Sequence, residues 1–474
     1  MKNQKIKSIF ILIVMFVIFF MMNISMFAET NAELPENFYE YNSGSAENPF
    51  MISNLGNLRW LSETEEFWGN DDNQYFFIQT ADIDATETKL WNFGSGFSPI
   101  GHASITTPPI IVERNDFRGN FNGNNFLISN LYINENSELF VGFFGGIYLA
   151  DISFLRIENA EIRGYAFIGG IVGQSRESSI RNSSFSGKIY SNNPLDASIA
   201  GLIGISDNTI IEFCYSTAIL DGNNAATISG LVSVLMRGSL INSYFNGDFV
   251  NGSNNHITTT SGLVMMAIST VIENCYVSTT SKQNPNFFGL VGAFQLSVIK
   301  NTFWDIETTG LEEPIGIIQG EEWCIVENIN GLLSYQMKIQ NTFIEFGWDF
   351  ESIWDIDPEN NDGYPFLRTY EPITSTNDFV INPSFMLIGN YPNPFNPETI
   401  IKYSIDNPGY VSIDIYNIRG QKVRNLLNSF MDRGEYYLMW NGRDDDGFEV
   451  GSAVYFYMMR SGEQVTVRRM VLLK

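Results

Sequence analysis

From Val141 onward the apolar positions fall into one recurring figure: a glycine, two apolar residues, then about ten residues later an Ile-x-Asn followed by an aromatic. The copies are "VGFFGGIYLADISFLRI" from Val141, "GGIVGQSRESSIRNSSFSG" from Gly169, "AGLIGISDNTIIEFCYSTA" from Ala200, "SGLVSVLMRGSLINSYFNG" from Ser229, "SGLVMMAISTVIENCYVST" from Ser261 and "FGLVGAFQLSVIKNTFWDI" from Phe288. Their anchoring glycines, Gly142, Gly170, Gly201, Gly230, Gly262 and Gly289, recur at steps of 28, 31, 29, 32 and 27 residues. A period near thirty is that of a solenoid or stacked array. Within each copy the apolar residues alternate over runs too short for a helical repeat, as in "GGIVG" and "SSIRNSSF". Short strands punctuated by Gly, Asn and Ser predict an all-β chain whose body is a β-solenoid, parallel and β-helix-like, each coil covering its neighbour's strand edges.

Stacking turns repeat positions into columns. Asn182, Asn242, Asn274 and Asn301 share one position and predict an amide ladder, interrupted by Phe213 and, in the first copy, by Leu155 or Glu158. Tyr215, Tyr244, Tyr276 and Phe303 share another and predict an aromatic stack, interior or capping a turn. Cys214 and Cys275 lie two copies apart, about 9.6 Å at strand spacing, beyond the roughly 7 Å that a disulfide spans. They and Cys324 are expected as unpaired thiols.

After Tyr370 the figure stops. A polar connector with Pro372 and Pro383 leads to "NYPNPFNPETIIKYSI" (Asn390–Ile405), and Pro392, Pro394 and Pro397 predict a stiff, non-pairing approach to a first strand. Strand-like runs separated by Gly and Asp turns follow to Lys474, predicting five to seven strands in a small β-sandwich. The expected organisation is 1–28 signal peptide, 33–370 solenoid with N- and C-terminal caps, 371–389 linker and 390–474 C-terminal domain.

Charge changes the picture only when divided. The chain carries −26 overall, but residues 29–389 hold 14 basic against 43 acidic side chains, whereas 390–474 is balanced at ten of each. An acidic body disfavours nucleic acid and polyanionic glycans. At the N-terminus Lys2, Lys5 and Lys7 precede an apolar run from Ile9 to Met22, the form of a signal peptide and short for a membrane span. Cleavage is expected after Ala28, although Met26 is larger than usual there, and leaves no stable transmembrane segment; an uncleaved anchor is the alternative. No Cys precedes Cys214, which argues against a lipid-modified N-terminal cysteine.

Candidate chemistry in the body is sparse. His102 and His256 belong to no His-Glu-x-x-His motif and sit in loop-like stretches, so neither a zinc-peptidase site nor a Ser-His-Asp triad is read. The carboxylate pairs Asp82/Asp84, Asp305/Glu307 and Asp355/Asp357 reach one strand face and suit a cation or a sugar, yet each falls within the repeat or capping pattern. Trp60, Trp68 and Trp91 are either cap core or platforms for sugar rings. No catalytic residue and no cofactor is assigned. The function expected is non-catalytic adhesion or glycan binding, with a polysaccharide-active β-helix enzyme, hydrolase or lyase, as the alternative.

The copies, best in "AGLIG" and "FGLVG", resemble the GLUG-motif repeat family. "SGSAENPFMISNLGNLRWLSE", "YFFIQTADID", "FSPIG" and "FRGNFNGNNFLISNLYI" are similar to its lead-in coils, and "GLLSYQMKIQNTFIEFGWDFESIWDIDPENNDGYPFL" to its closing segment, over Tyr41–Tyr370. The C-terminal "YPNPFNP", "IYNIRGQKV", "WNGRDDDGFEVGSAVYFYMM" and "VRRMVLLK" resemble the type A sorting domain of type IX secretion, an immunoglobulin-like module, with Ala453 where a Gly or small turn residue is common. The resemblance rests on Pro392, Asn393, Pro394, Phe395, Asn396, Pro397, Gly420, Trp440, Gly447, Tyr455 and Lys474. It implies passage through the periplasm and outer membrane by the type IX machinery, to the cell surface or medium, with extracellular glycans or surface proteins as further partners. Asp444 and Asp446 in "GRDDDG" are weak calcium candidates; a hairpin turn explains them as well.

Overall fold

The computed structural model describes residues 30–70, 73–106, 111–193, 197–222, 225–250, 259–279, 287–311, 313–368, 385–405, 409–419, 421–431, 434–445, 447–461 and 464–474. The signal-peptide reading, His256, Gly420 and Asp446 lie outside these residues. Contacts divide the chain into two units between Pro372 and Ile373. Among the described residues no helix is long and apolar enough to cross a membrane.

The first unit is the expected parallel β-solenoid, of about nine turns. One coil shows how the sequence figure folds: strands Ala197–Ala200, Ile203–Asp207, Ile210–Glu212, Tyr215–Ser216 and Ile219–Asp221 run around it, each paired in parallel with the equivalent strands of its neighbours. The register builds files along the axis. Phe50, Phe77, Phe121, Ile152, Ile180, Ile211, Leu240, Ile272, Ile299 and Val326 pair in succession. All but Val326 are buried.

The glycine corner explains the apolar doublet. Leu202 and Ile203 both face inward because the chain turns between them and the preceding strand, and the matching pairs Leu231/Val232, Leu263/Val264 and Leu290/Val291 are likewise wholly buried. The glycine before each doublet sits against the next coil: a Cβ on Gly170, Gly201, Gly230 or Gly262 would meet the carbonyl oxygen of the following glycine in the file at 2.5, 2.2, 1.9 or 2.1 Å.

Two further corners are made by left-handed residues. Phe154, Asn182, Phe213, Asn242, Asn274, Asn301 and Asn328 share one, with φ between 48° and 55°, and Leu149, Glu177, Asn208, Arg237, Ser269 and Leu296 share the other. The break in the first copy is therefore Phe154, not Leu155 or Glu158, since Phe154 follows the strand paired with the one that precedes Asn182. Asparagine is enriched at this position because it tolerates positive φ. The ladder adds to that: Asn274 Nδ2 donates to Asn242 Oδ1 at 3.2 Å and Asn328 Nδ2 to Asn301 Oδ1 at 3.0 Å. Asn242→Ala is expected to cost about 1 kcal/mol, with Asn242→Gly recovering most of it in urea melts. Equal losses would make the amide, not the backbone, the reason for asparagine there.

Where the residue after such a corner is Ser or Thr, its hydroxyl accepts from backbone of the preceding coil. Ser183 Oγ accepts from Leu155 N at 3.2 Å, Ser243 Oγ from Cys214 N at 3.1 Å, and each donates to the carbonyl two residues upstream of itself. Cys214 and Cys275 occupy the same place, their thiols donating to Glu212 and Glu273 carbonyls at 3.2 Å. Both are buried and unpaired; Cys324 is half-buried and also unpaired. Burial pushes the Cys214 and Cys275 thiols up to about 12, so they stay protonated.

The two ends differ. At the N-terminal end helix Leu55–Glu63, capped by Asn54, lays Leu58, Trp60 and Leu61 into the same core as Phe50 and Trp68. The segment expected to close the other end packs instead along the outer side of the last coils, where Met337, Phe343, Trp348, Trp354 and Tyr364 form a separate core with Tyr244, Tyr276 and Phe303. The final strands Ile315–Gln319 and Ile325–Leu332, with the turn Glu321–Trp323 between them, leave Ile317, Trp323, Ile325 and Val326 between 43 and 65% exposed.

The C-terminal unit has two antiparallel sheets. Thr399–Ile405 pairs with Phe385–Tyr391 and Gly434–Trp440; Gly409–Asn417 pairs with Lys422–Met431 and Ala453–Ser461, and the latter with Gln464–Leu472. One apolar core of Leu387, Ile401, Ile413, Trp440, Tyr457 and Leu472 among others lies within the unit. Seven strands in this order form the expected immunoglobulin-like sandwich. Its first strand begins at Phe385, before the expected boundary at Asn390, so the proline run is a loop between two paired strands, not an approach to the first.

Candidate functional site

In the C-terminal unit the motif residues converge on the last strand. Phe395 is buried, donates its N–H to Val471 O and accepts from Leu473 N, both at 2.9 Å, while Asn393 Oδ1 accepts from Val471 N at 2.9 Å. Asn393–Pro394 and Asn396–Pro397 are cis. Pro392, Asn396 and Pro397 are exposed, although Pro392 O accepts from Thr399 Oγ1 at 2.8 Å. Phe395 meets the fully buried Trp440 at 5.5 Å, and Trp440 meets Tyr455 at 5.1 Å. Trp440 donates to Arg443 O and Tyr455 to Gly451 O. Lys474 reaches Glu449 Oε2 at 2.9 Å. Gly447 has φ +83° in the Asp turn, where Asp444 Oδ1 accepts from Phe448 N at 2.8 Å. Asp444 therefore has a turn-closing role.

The carboxylate pairs of the body are engaged in holding backbone. Asp82 accepts from Leu127 N at 2.7 Å. Hydrogen bonds from Asn130 and Thr86 hold Asp84 below the usual carboxylate range. Asp305 is wholly buried; it caps helix Ile306–Thr309 through Glu307 N and Thr308 N and accepts from Tyr364 at 2.6 Å. Asp355 pairs with Arg368 at 2.9 Å, and Asp357 accepts from Glu359 N. Among the described residues no group of three His, Cys, Asp or Glu is placed to hold a metal. Trp60, Trp68 and Trp91 are at most 5% exposed and belong to the core. His102 lies in strand His102–Thr106, not a loop, with Nε2 3.3 Å from Glu65.

The aromatic column behaves otherwise. Tyr215, Tyr244, Tyr276 and Phe303 pair in register on the outside of the coils, with Tyr215–Tyr244 and Tyr244–Tyr276 stacked at 4.8 and 4.9 Å. Those spacings are the strand spacing itself. Segment 334–367 covers three of the four. Tyr276 donates to Pro365 O at 2.6 Å and accepts from Asn361 at 2.7 Å, and Trp354 lies 6.1 and 6.2 Å from Tyr244 and Tyr276. Burial raises the Tyr244 and Tyr276 phenols well above their ordinary value.

The cover ends at Tyr215. That ring is half-buried, and the next member of the file is Ser184. A groove of about 350 Å³ opens there, lined by Tyr215, Ser184, Ser186, Thr217, Glu158 and Asn360 among others. Glu158 is paired with Arg156 at 2.8 Å and is the one carboxylate on its walls among the described residues. An aromatic face bordered by hydroxyl, amide and carboxylate groups suits the apolar face of a sugar ring and its hydroxyls. Tyr215 was visible as a repeat aromatic. Ser184, Thr217, Glu158 and Asn360 carried no signal, because what separates Tyr215 from the covered tyrosines is where a non-repeat segment lies.

No protein-family profile matches the chain. It is 28% identical over 183 residues to Halomucin of Haloquadratum walsbyi, a stretch that is 38% of this chain and 2% of that protein. Among solved structures it is similar over 23% of its length to 10% of dimeric latent PorU from Porphyromonas gingivalis, at 18% identity and a TM-score of 0.18. The architecture, a β-solenoid body with an antiparallel sandwich, is compatible with a surface or secreted repeat protein.

Proposed function

We propose that this chain is an exported, non-catalytic GLUG-type repeat protein that contacts extracellular glycans from the side of its solenoid, and that its C-terminal sandwich is a type IX sorting domain. The observation that carries the glycan reading is the half-buried Tyr215 at the open end of an otherwise covered tyrosine stack, in a groove of hydroxyl and amide groups. The export reading is supported by the way Asn393 and Phe395 of the proline loop hold the terminal strand, which joins the separate pieces of the resemblance into one surface.

A glycan array probed with the mature chain, beside a reducing-sugar release assay on the same glycans, tests the first part. Binding that Tyr215→Ala weakens about tenfold is expected, as for loss of a stacking ring; release of reducing sugar would replace the reading with the enzyme alternative. For export, deletion of 390–474 is expected to leave the body in the periplasm, and normal extracellular amounts of the truncated chain would refute the sorting role.

A further inference from the structure

The tyrosine column ends on one open ring face. Tyr244 covers one side of the Tyr215 ring, the two being parallel within 1° at 4.8 Å, so the other side looks down the file to the place above Ser184. Tyrosines at this position take 4.8 and 4.9 Å per layer, so a flat ring laid on Tyr215 would occupy the layer that Ser184 is too small to fill. Beyond that layer the next strand, Arg156–Gly164, pairs Arg156 with Ser184. It also carries Glu158, whose carboxylate is held by Arg156 at 2.8 Å while Arg156 donates to Asn125 O at 3.3 Å. Two coil steps, about 9.6 Å, separate the Tyr215 and Arg156 strands, which leaves a slot one ring deep.

The two ends of this slot differ chemically. Tyr215 offers an aromatic face and Glu158 a charged acceptor, while Ser184, Ser186, Thr217 and Asn360 add hydroxyl and amide groups around them. The C–H face of a sugar packs on the first, and its hydroxyls donate to the second. A pyranose whose hydroxyls are all equatorial presents two similar faces and gains little from such asymmetry. One axial hydroxyl gathers the polar groups on one side and leaves an unbroken apolar patch on the other, which is the galactose configuration. Charge narrows the class further. A body with 43 acidic and 14 basic side chains, and a carboxylate within the slot itself, disfavours an anionic sugar.

We infer that the slot takes a neutral hexopyranose of galactose configuration, its apolar face on Tyr215 and its hydroxyls toward Glu158; this rests on the glycan reading above and names the ligand class of that site. The test is calorimetry on the mature full chain with two neutral tetrasaccharides that differ only in ending on β-galactose or β-glucose. The galactose-ended form is expected to bind at least about tenfold more tightly, as for hydrogen bonds to a charged group. Glu158→Gln should cut that preference to about threefold or less, since the acceptor stays and the charge goes. Ser184→Tyr should complete the column, abolish binding of both forms and leave the thermal midpoint at or above that of the wild type. Equal affinity, or a preference for the glucose-ended form, would overturn the inference, as would galactose-selective binding that either variant leaves unaltered; in each case the glycan reading stands. No binding of either tetrasaccharide, with other glycans on the array held through Tyr215, would remove this inference alone. A blank array would remove both.

Discussion

Gly230→Ala is expected to lower the thermal midpoint of the body by roughly 5 °C or more, an effect out of proportion to one methyl group. The added Cβ would stand 1.9 Å from Gly262 O and 2.6 Å from the Phe245 ring. The oxygen belongs to backbone that is itself bonded: Leu263 N donates to Leu290 O and Gly262 N to Phe288 O in the following coil. The clash cannot be relieved by rotating a side chain; it must separate two coils, and overpacking of that kind costs about 3 kcal/mol or more where backbone has to move. Because each coil contacts only its neighbours, a gap at one step also divides the array, and the melt should broaden. Gly451→Ala is the control, since nothing lies within 4 Å of its Cβ. If far-UV circular dichroism shows both variants melting with the wild type, the file of glycines is not what sets coil spacing.

Trp354→Ala should release the side cover without dissolving the solenoid. Trp354 is fully buried, 4.5 Å from Trp348 and near Tyr244 and Tyr276, and its indole N–H has no partner among the described residues, so truncation removes packing alone. Loss of a buried tryptophan costs about 3–5 kcal/mol. The segment is joined to the coils chiefly by this small aromatic core and by Tyr276, Tyr364 and Asn361 hydrogen bonds, so the loss should appear as local opening. Limited proteolysis is expected to cut within 334–367 while the paired strands of the coils stay resistant. An unchanged digestion pattern would mean that the cover is held elsewhere. Opening would also extend the exposed tyrosine surface from Tyr215 to Tyr276, so glycan affinity should rise as stability falls.

The residues that were legible beforehand are those whose role repeats. The glycines, the apolar doublets, the asparagines and the tyrosines each recur at one phase of the period, although the tyrosines, read as interior or capping a turn, lie on the outside of the coils, and a wrong member, Phe154 mistaken for Leu155 or Glu158, displaced a single site without harming the rest. The amide ladder was read correctly but incompletely, since positive φ at seven consecutive corners is a backbone requirement that periodicity alone does not reveal. The motif residues of the sandwich were legible one by one, while the pinning of Phe395 to the final strand was not, because those two segments lie more than seventy residues apart.

The sequence by itself determined the coil. In a solenoid, distance along the chain converts to height along the axis, so repetition at about thirty residues is enough to specify neighbours, columns and the impossibility of a Cys214–Cys275 disulfide. Only the tertiary structure decided what is laid against that coil: the cover that shelters Tyr244 and Tyr276 but stops at Tyr215. It arises from a segment that does not repeat. Its placement follows from which apolar surfaces are left unpaired once the coils have stacked, and no spacing in the chain encodes that.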